Sequence, residues 1–147
     1  MNASTAAPVL SASQLSVAYG GNTALSIERL IVGEGEVLGV VGGNGAGKST
    51  LVNALAGWSR GTPKVAGRVQ LDGVEMSGLA AHERARAGLL LVPEGKLVFG
   101  QMTVDENLSV LAETQARNGR RTYDREAVFQ LFPRLRERRR HLGSQLS

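Results

Sequence analysis

The sequence predicts an α/β fold: a core in which buried strands alternate with helices, fronted by a small antiparallel β appendage. Three observations carry this. Two short runs, VLGVV at 37–41 and GLLLVP at 88–93, are apolar on both sides, the pattern of parallel strands covered on both faces. A glycine-rich loop, GGNGAGKST, follows the first run directly and leads into a helical pattern. In front of them, QLSVAY at 14–19 alternates apolar and polar residues as a half-buried strand does.

Taken in order, residues 1–13 (MNASTAAPVLSAS) are small and include Pro8, and they read as a disordered lead-in. They have neither the basic n-region nor the apolar h-region of a signal peptide. After the strand at 14–19, LSIERLIV at 25–32 offers Ile27, Leu30 and Ile31 as anchors, and GEGE at 33–36 makes a turn. The helix after the glycine loop places Leu51, Ala54 and Leu55 at helical spacing and ends near Gly57. GRVQLDGVEM at 67–76 reads as a strand followed by a D-G turn, and 79–87 as a short helix. TVDE at 103–106 is a Thr-x-x-Glu capping box, which starts a helix running to about Ala116. A further helix over 123–132, closed by Pro133, uses Phe129 and Phe132 as core anchors.

Composition excludes several classes. The chain has 147 residues, the size of one domain, and its 42% hydrophobic content is enough for a core. It has no cysteine, so disulfides and thiolate metal sites are out, and its two histidines, His82 and His141, are far apart. No apolar run approaches the ~18 residues that span a bilayer. The net charge of +4 is uneven. Residues 120–147 carry eight Arg against Asp124, Glu126 and Glu137, while nine basic and ten acidic residues precede them. The basic stretch therefore reads as a solvated helix face. Only Tyr123, Phe129 and Phe132 lie beside it, too little for the stacking platform of a nucleic-acid site, and nucleic acid is not an expected partner.

The chemical signal is Gly42-x-x-x-x-Gly47-Lys48-Ser49, a full Walker A pattern between an apolar run and a helix. Phosphate oxygens need many N–H donors at close range, and only a loop nearly free of Cβ atoms lets backbone amides converge on one anion. Gly42, Gly43, Gly45 and Gly47 give that freedom, Ala46 is the smallest alternative, and Asn44 and Thr50 complete the stretch. Lys48 is a flexible charge able to reach the β- and γ-phosphates of ATP, and the Ser49 hydroxyl can ligate Mg²⁺. Kinases, GTPases and transport ATPases share this loop, so the flanking residues must decide.

Those flanks resemble the nucleotide-binding subunit of ABC transporters over residues 14–147. LSVAYGGNTAL resembles the family's opening strand, where an aromatic residue stacks on adenine, and Tyr19 holds that position. GEVLGVVGGNGAGKSTLVNALAG resembles its phosphate-loop segment. LLLVPEGKLVFGQMTVDENL at 89–108 resembles its Q-loop region, and in particular the branched-chain amino acid import subgroup, as does QLFPRLRERR at 130–139. The resemblance implies a P-loop NTPase fold of ABC type, with a β subdomain and phosphate-loop core over 14–93 and a Q-loop and the start of a helical subdomain over 94–147. It implies ATP and Mg²⁺ as cofactors, a second ATP-binding subunit and transmembrane permease subunits as partners, and a place on the inner face of the cell membrane. Glu94 stands where most relatives carry glutamine, so a metal-approaching carboxylate is expected there. Phe99 falls in the segment expected to face the membrane subunits.

The family also has a signature loop beginning Leu-Ser-Gly-Gly, a Walker B strand ending in acidic residues, and a switch histidine. None is complete in this sequence, and the terminal LS at 146–147 resembles the first two residues of the signature loop. An incomplete domain is therefore expected, with hydrolysis by these residues alone not expected. Lacking the strands that lie between them in the family, 37–41 and 88–93 are expected to expose apolar edges. Two other readings stay open: a non-catalytic nucleotide-binding or regulatory module ending at Ser147, and a kinase or GTPase. The absence of an Asn-Lys-x-Asp motif speaks against a GTPase.

Overall fold

The computed structural model describes residues 7–59, 61–94, 98–112 and 124–146. They form two compact units, one ending at Leu91 and one beginning at Val92.

The first unit is built on a four-stranded antiparallel sheet of β1 (Leu10–Tyr19), β2 (Asn22–Val32), β3 (Lys64–Leu71) and β4 (Val74–Glu75), in the order β2-β1-β3-β4. A two-residue Gly20-Gly21 turn joins β1 to β2, and Asp72-Gly73, both at positive φ, joins β3 to β4. Such turns match the natural twist of a hairpin. β1 is central. It runs antiparallel to both neighbours, so β2 and β3 are parallel to each other across it. The connection between them contains α1 (Lys48–Ala56), making a β–α–β crossover that skips over β1.

The strand begins at Leu10, inside the stretch read as a lead-in, and Ala12 is buried. A bulge explains why the sequence pattern starts later. Ala12 and the pair Leu15 and Val17 have opposite parity, yet all three are buried. The change of phase occurs at Gln14, whose φ is +51, where the register with β3 shifts between Ser13 and Ser16. Gly67 faces this point at φ +107, and a Cβ there would lie 2.4 Å from the Gln14 carbonyl oxygen. Leu51 and Ala54 of α1 close the core over Leu15, Val17 and Val69. Ile27 and Leu30 pack against it, whereas Ile31 is exposed.

The two segments expected to be buried parallel strands are not strands. Residues 37–41 and 88–93 join no ladder, and Val37 is 96% exposed, Val41 92% and Leu90 74%. The apolar exposure is as expected; the strand conformation is not. A strand buried on both faces needs ladder partners on both edges, and among the described residues no strand pairs with either segment.

Two further short helices complete the expected pattern. α2 (Ala81–Ala87) lies in the first unit, and α3 (Val104–Ala112) opens the helical part of the second. The Thr103–Glu106 capping box is formed: Thr103 N and Oγ1 donate to Glu106 Oε2 at 2.7 and 2.8 Å, and Glu106 N donates to Thr103 Oγ1 at 3.2 Å. Residues 113–116, the expected end of that helix, lie outside the described residues, as does Tyr123. α4 (Arg125–Leu131) is capped by Asp124, which accepts from Ala127 N at 2.7 Å. Pro133 both ends α4 and opens α5 (Pro133–Glu137), where its fixed φ suits a first helical position. Phe129 is a buried anchor, but Phe132, at the junction of the two helices, is 58% exposed. The described part of the basic stretch, 124–146, is largely a solvated face, with Arg134 paired to Glu137 and Arg136 paired to Glu126 and lying over the Phe129 ring. Residues 139–145 run back along 99–105, with an isolated bridge between Thr103 and Leu142 and a short 3₁₀ turn at Gly143–Gln145.

Candidate functional site

The glycine loop forms the corner between β2 and α1. Gly47 caps α1 at φ +84, and a Cβ at this position would meet the Ala24 carbonyl oxygen at 3.0 Å. Only glycine both adopts this conformation without strain and lets β2 lie so close. No side chain caps the helix, and its first turn holds no acidic residue. The first amides of α1 and its positive dipole end are thus open to an anion.

Lys48 Nζ donates to the carbonyls of Gly42 and Gly43 at 2.8 and 2.7 Å, folding its charge back over the loop. Ala46 N closes a turn onto Gly43 O at 3.2 Å. Asn44, Gly45 and Ser49 are exposed, and Thr50 is half-buried. The loop therefore sets the Lys48 ammonium beside the uncapped start of α1 in a largely exposed segment, and together with the Ser49 hydroxyl these are a donor set that fits phosphate oxygens. The Ser49 hydroxyl fits a Mg²⁺ that takes its remaining ligands from phosphate and water. Among the described residues, no group of three or more His, Cys, Asp or Glu could hold a metal by itself.

Tyr19 is the last residue of β1, 36% exposed and paired with Asn22 across the Gly-Gly turn. Two residues further along β2, Ala24 touches Gly47, so the hairpin tip and the phosphate loop share one corner of the first unit. Glu94 is exposed and belongs to the second unit. Phe99, also exposed, is held through its backbone: its N–H donates to Asn107 Oδ1 at 2.8 Å, and Asn107 Nδ2 donates to Phe99 O, Met102 O and Thr103 O at 3.0, 3.2 and 2.9 Å.

Two residues gave no sequence signal for what they do. Asn107 sits in the first turns of a helix, where a polar residue is ordinary, yet it organises the whole Phe99–Thr103 loop. Arg84, in the polar-looking AHERARA helix, is 5% exposed. Its Nε donates to Leu79 O at 3.1 Å, and its Nη1 donates to Ala54 O at 3.1 Å and Leu55 O at 2.7 Å. Burial holds its guanidinium below the usual arginine range, and the charge of Glu75 opposes this.

A family model described as "ABC transporter" matches residues 25–147. The chain is 37% identical over 131 residues to the high-affinity branched-chain amino acid transport ATP-binding protein BraG of Pseudomonas aeruginosa, covering 88% of this chain and 54% of that one. It is 34% identical over 104 residues to the lipopolysaccharide export system ATP-binding protein LptB of Escherichia coli, covering 71% of this chain and 42% of that one. A solved ATP-binding subunit of an ABC transporter superposes with a TM-score of 0.68 at 22% identity, over 95% of this chain and 56% of that one. The chain thus spans about half the length of the curated relatives it matches.

Proposed function

Because the chain belongs to the ABC transporter ATP-binding family, we propose that residues 42–50 bind the phosphates of ATP and that the protein serves an importer of branched-chain amino acids. The observation that carries the first part is the Lys48 corner: an uncapped helix start that follows a glycine loop, with the Lys48 ammonium folded over that loop. Support for the second part is the likeness to BraG over most of the chain, together with the Pro93-Glu94-Gly95 wording of the 89–108 segment. The shorter match to LptB keeps lipopolysaccharide export as the competing cargo class.

In this reading Lys48 exchanges its two carbonyl partners for β- and γ-phosphate oxygens, and the loop amides with the helix dipole hold the remaining charge. Tyr19, at the neighbouring hairpin tip, stacks on the adenine. Ser49 supplies a hydroxyl to Mg²⁺, and Glu94 approaches the metal once nucleotide and partner are present. Mg²⁺ neutralises phosphate charge when bound. A second ATP-binding subunit faces the loop, and the segment from Glu94 to Phe99 meets the permease, at the inner face of the membrane. No helix among the described residues is long and apolar enough to cross a membrane. No complete signature loop, Walker B strand or switch histidine stands within the 147 residues, so binding rather than turnover is the activity proposed for them.

Titration with a fluorescent ATP analogue and Mg²⁺ tests the site. Lys48→Ala is expected to weaken binding by roughly a hundredfold, the loss of two to three kcal/mol of charge-assisted bonding, with an unchanged melting temperature. Equal binding by the two proteins would overturn the reading. Glu94→Gln is expected to lower the affinity for Mg²⁺, and an unchanged value would remove Glu94 from the site.

A further inference from the structure

Resting on the nucleotide reading above, we infer that Arg84 is a positioning residue for phosphate binding: by clamping the last turn of α1 to the start of α2, it fixes where the other end of α1 holds Lys48 and Ser49. Arg84 is the one buried charged side chain among the described residues. Its donors run in two directions, to Ala54 and Leu55 at the end of α1 and to Leu79 just before α2.

The end of α1 needs such a partner. The closing backbone bonds go from Gly57 N to Ala54 O and from Trp58 N to Asn53 O, and Leu55 O accepts from Arg84. The last turn of α1 has no basic residue of its own, so Arg84 supplies the cation that complements the negative end of the helix. Gly57 leaves room for it. At φ +70, a Cβ on residue 57 would lie 2.7 Å from Arg84 Nε. Arginine suits the place better than lysine, because a planar fork can serve carbonyls on two elements at once.

At its other end, α1 packs closely on β2 at Gly47 but has no comparable side-chain hydrogen bond to another element. Residues 42–46 are exposed, no side chain caps the helix, and among the described residues the Lys48 ammonium bonds to Gly42 and Gly43 of the loop itself. Burial of Leu51 and Ala54 keeps α1 on the sheet, but apolar contact is non-directional and tolerates sliding, whereas hydrogen bonds do not. The helix has nine residues and is about 13 Å long, short enough to move as a rod. A shift at Leu55 is therefore a shift at Lys48.

The test compares wild type, Lys48→Ala, Arg84→Met and Arg84→Lys by titration with a fluorescent ATP analogue and Mg²⁺, each well below its melting temperature. Arg84→Met keeps the apolar stem and is expected to weaken nucleotide affinity per folded molecule about tenfold, with partial recovery in Arg84→Lys. A lower melting temperature with wild-type affinity would make Arg84 a structural cap only and overturn the inference. If Arg84→Met does not fold, the Nε–H resonance of Arg84 in the wild-type chain decides: it is expected to shift on saturation with nucleotide, and an unmoved signal overturns the inference. Binding that fails to distinguish wild type from Lys48→Ala would instead overturn the nucleotide reading on which this one rests.

Discussion

Val17 lies in an alternating run and Val41 in one that is apolar on both sides, yet Val17 is 2% exposed and Val41 92%. The difference lies in where their backbone partners come from. Val17 sits on β1, whose partners are a hairpin neighbour two residues away and a strand returned by the α1 crossover. Val41 leads into the phosphate loop in a run that would need partners on both edges, and none of the described strands serves it. Apolar composition states that a segment is suited to burial; the ladder decides whether burial happens.

Substitutions at the two kinds of position separate these roles. The largest effect is expected at Leu15, 1% exposed beneath α1: Leu15→Ala is expected to cost about 2–5 kcal/mol in denaturant unfolding, by lost transfer energy and a cavity. Gly67→Ala comes next. Its Cβ would press on the Gln14 backbone at a positive φ, and a loss of about 3 kcal/mol is expected from strain at the bulge. Val41→Asp is expected to change stability by no more than about 0.5 kcal/mol while reducing aggregation. A loss comparable to that of Leu15→Ala would show that 37–41 is covered after all and break the comparison.

The smallest effect concerns a locally satisfied element. The bonds from Thr103 hold the Glu106 carboxyl below the usual carboxylate range. A depressed folded-state pKa contributes stability above the unfolded value, and that contribution is lost as pH falls through the folded one. Amide exchange at Thr103 is therefore expected to quicken on acidification in wild type but to be pH-independent beyond the intrinsic rate in Glu106→Gln. An identical profile in the two proteins would remove the box as the cause.

What could be read from the sequence follows the same division. The glycine loop with its helix, the D-G turn and the Thr103–Glu106 box depend on residues a few positions apart, so their chemistry is written contiguously. The first half of β1 is hidden because the bulge at Gln14 reverses the alternation, the signal by which a half-buried strand is recognised. Phe132, just before Pro133, reads as an anchor, but Pro133 starts a new helix beside it and that position is exposed. Arg84 could not be read at all. Its partners are carbonyl oxygens roughly thirty residues away, at Ala54 and Leu55, and backbone acceptors have no letter in the sequence.

The crossover has a kinetic consequence. β2 leaves the sheet at the Leu10 end of β1, where Val32 pairs, and β3 re-enters at the opposite end, where Lys64 pairs with Ala18. The β1–β2 hairpin closes over two glycines, an event of microseconds, whereas β3 can dock only after the whole 33–63 segment has been drawn along the strand. The phosphate loop lies inside that closure. During refolding, the hairpin is therefore expected to form before the loop, and a nucleotide bound as proposed would capture the chain only after the slower event, so its addition is expected to speed neither step but to slow their reversal.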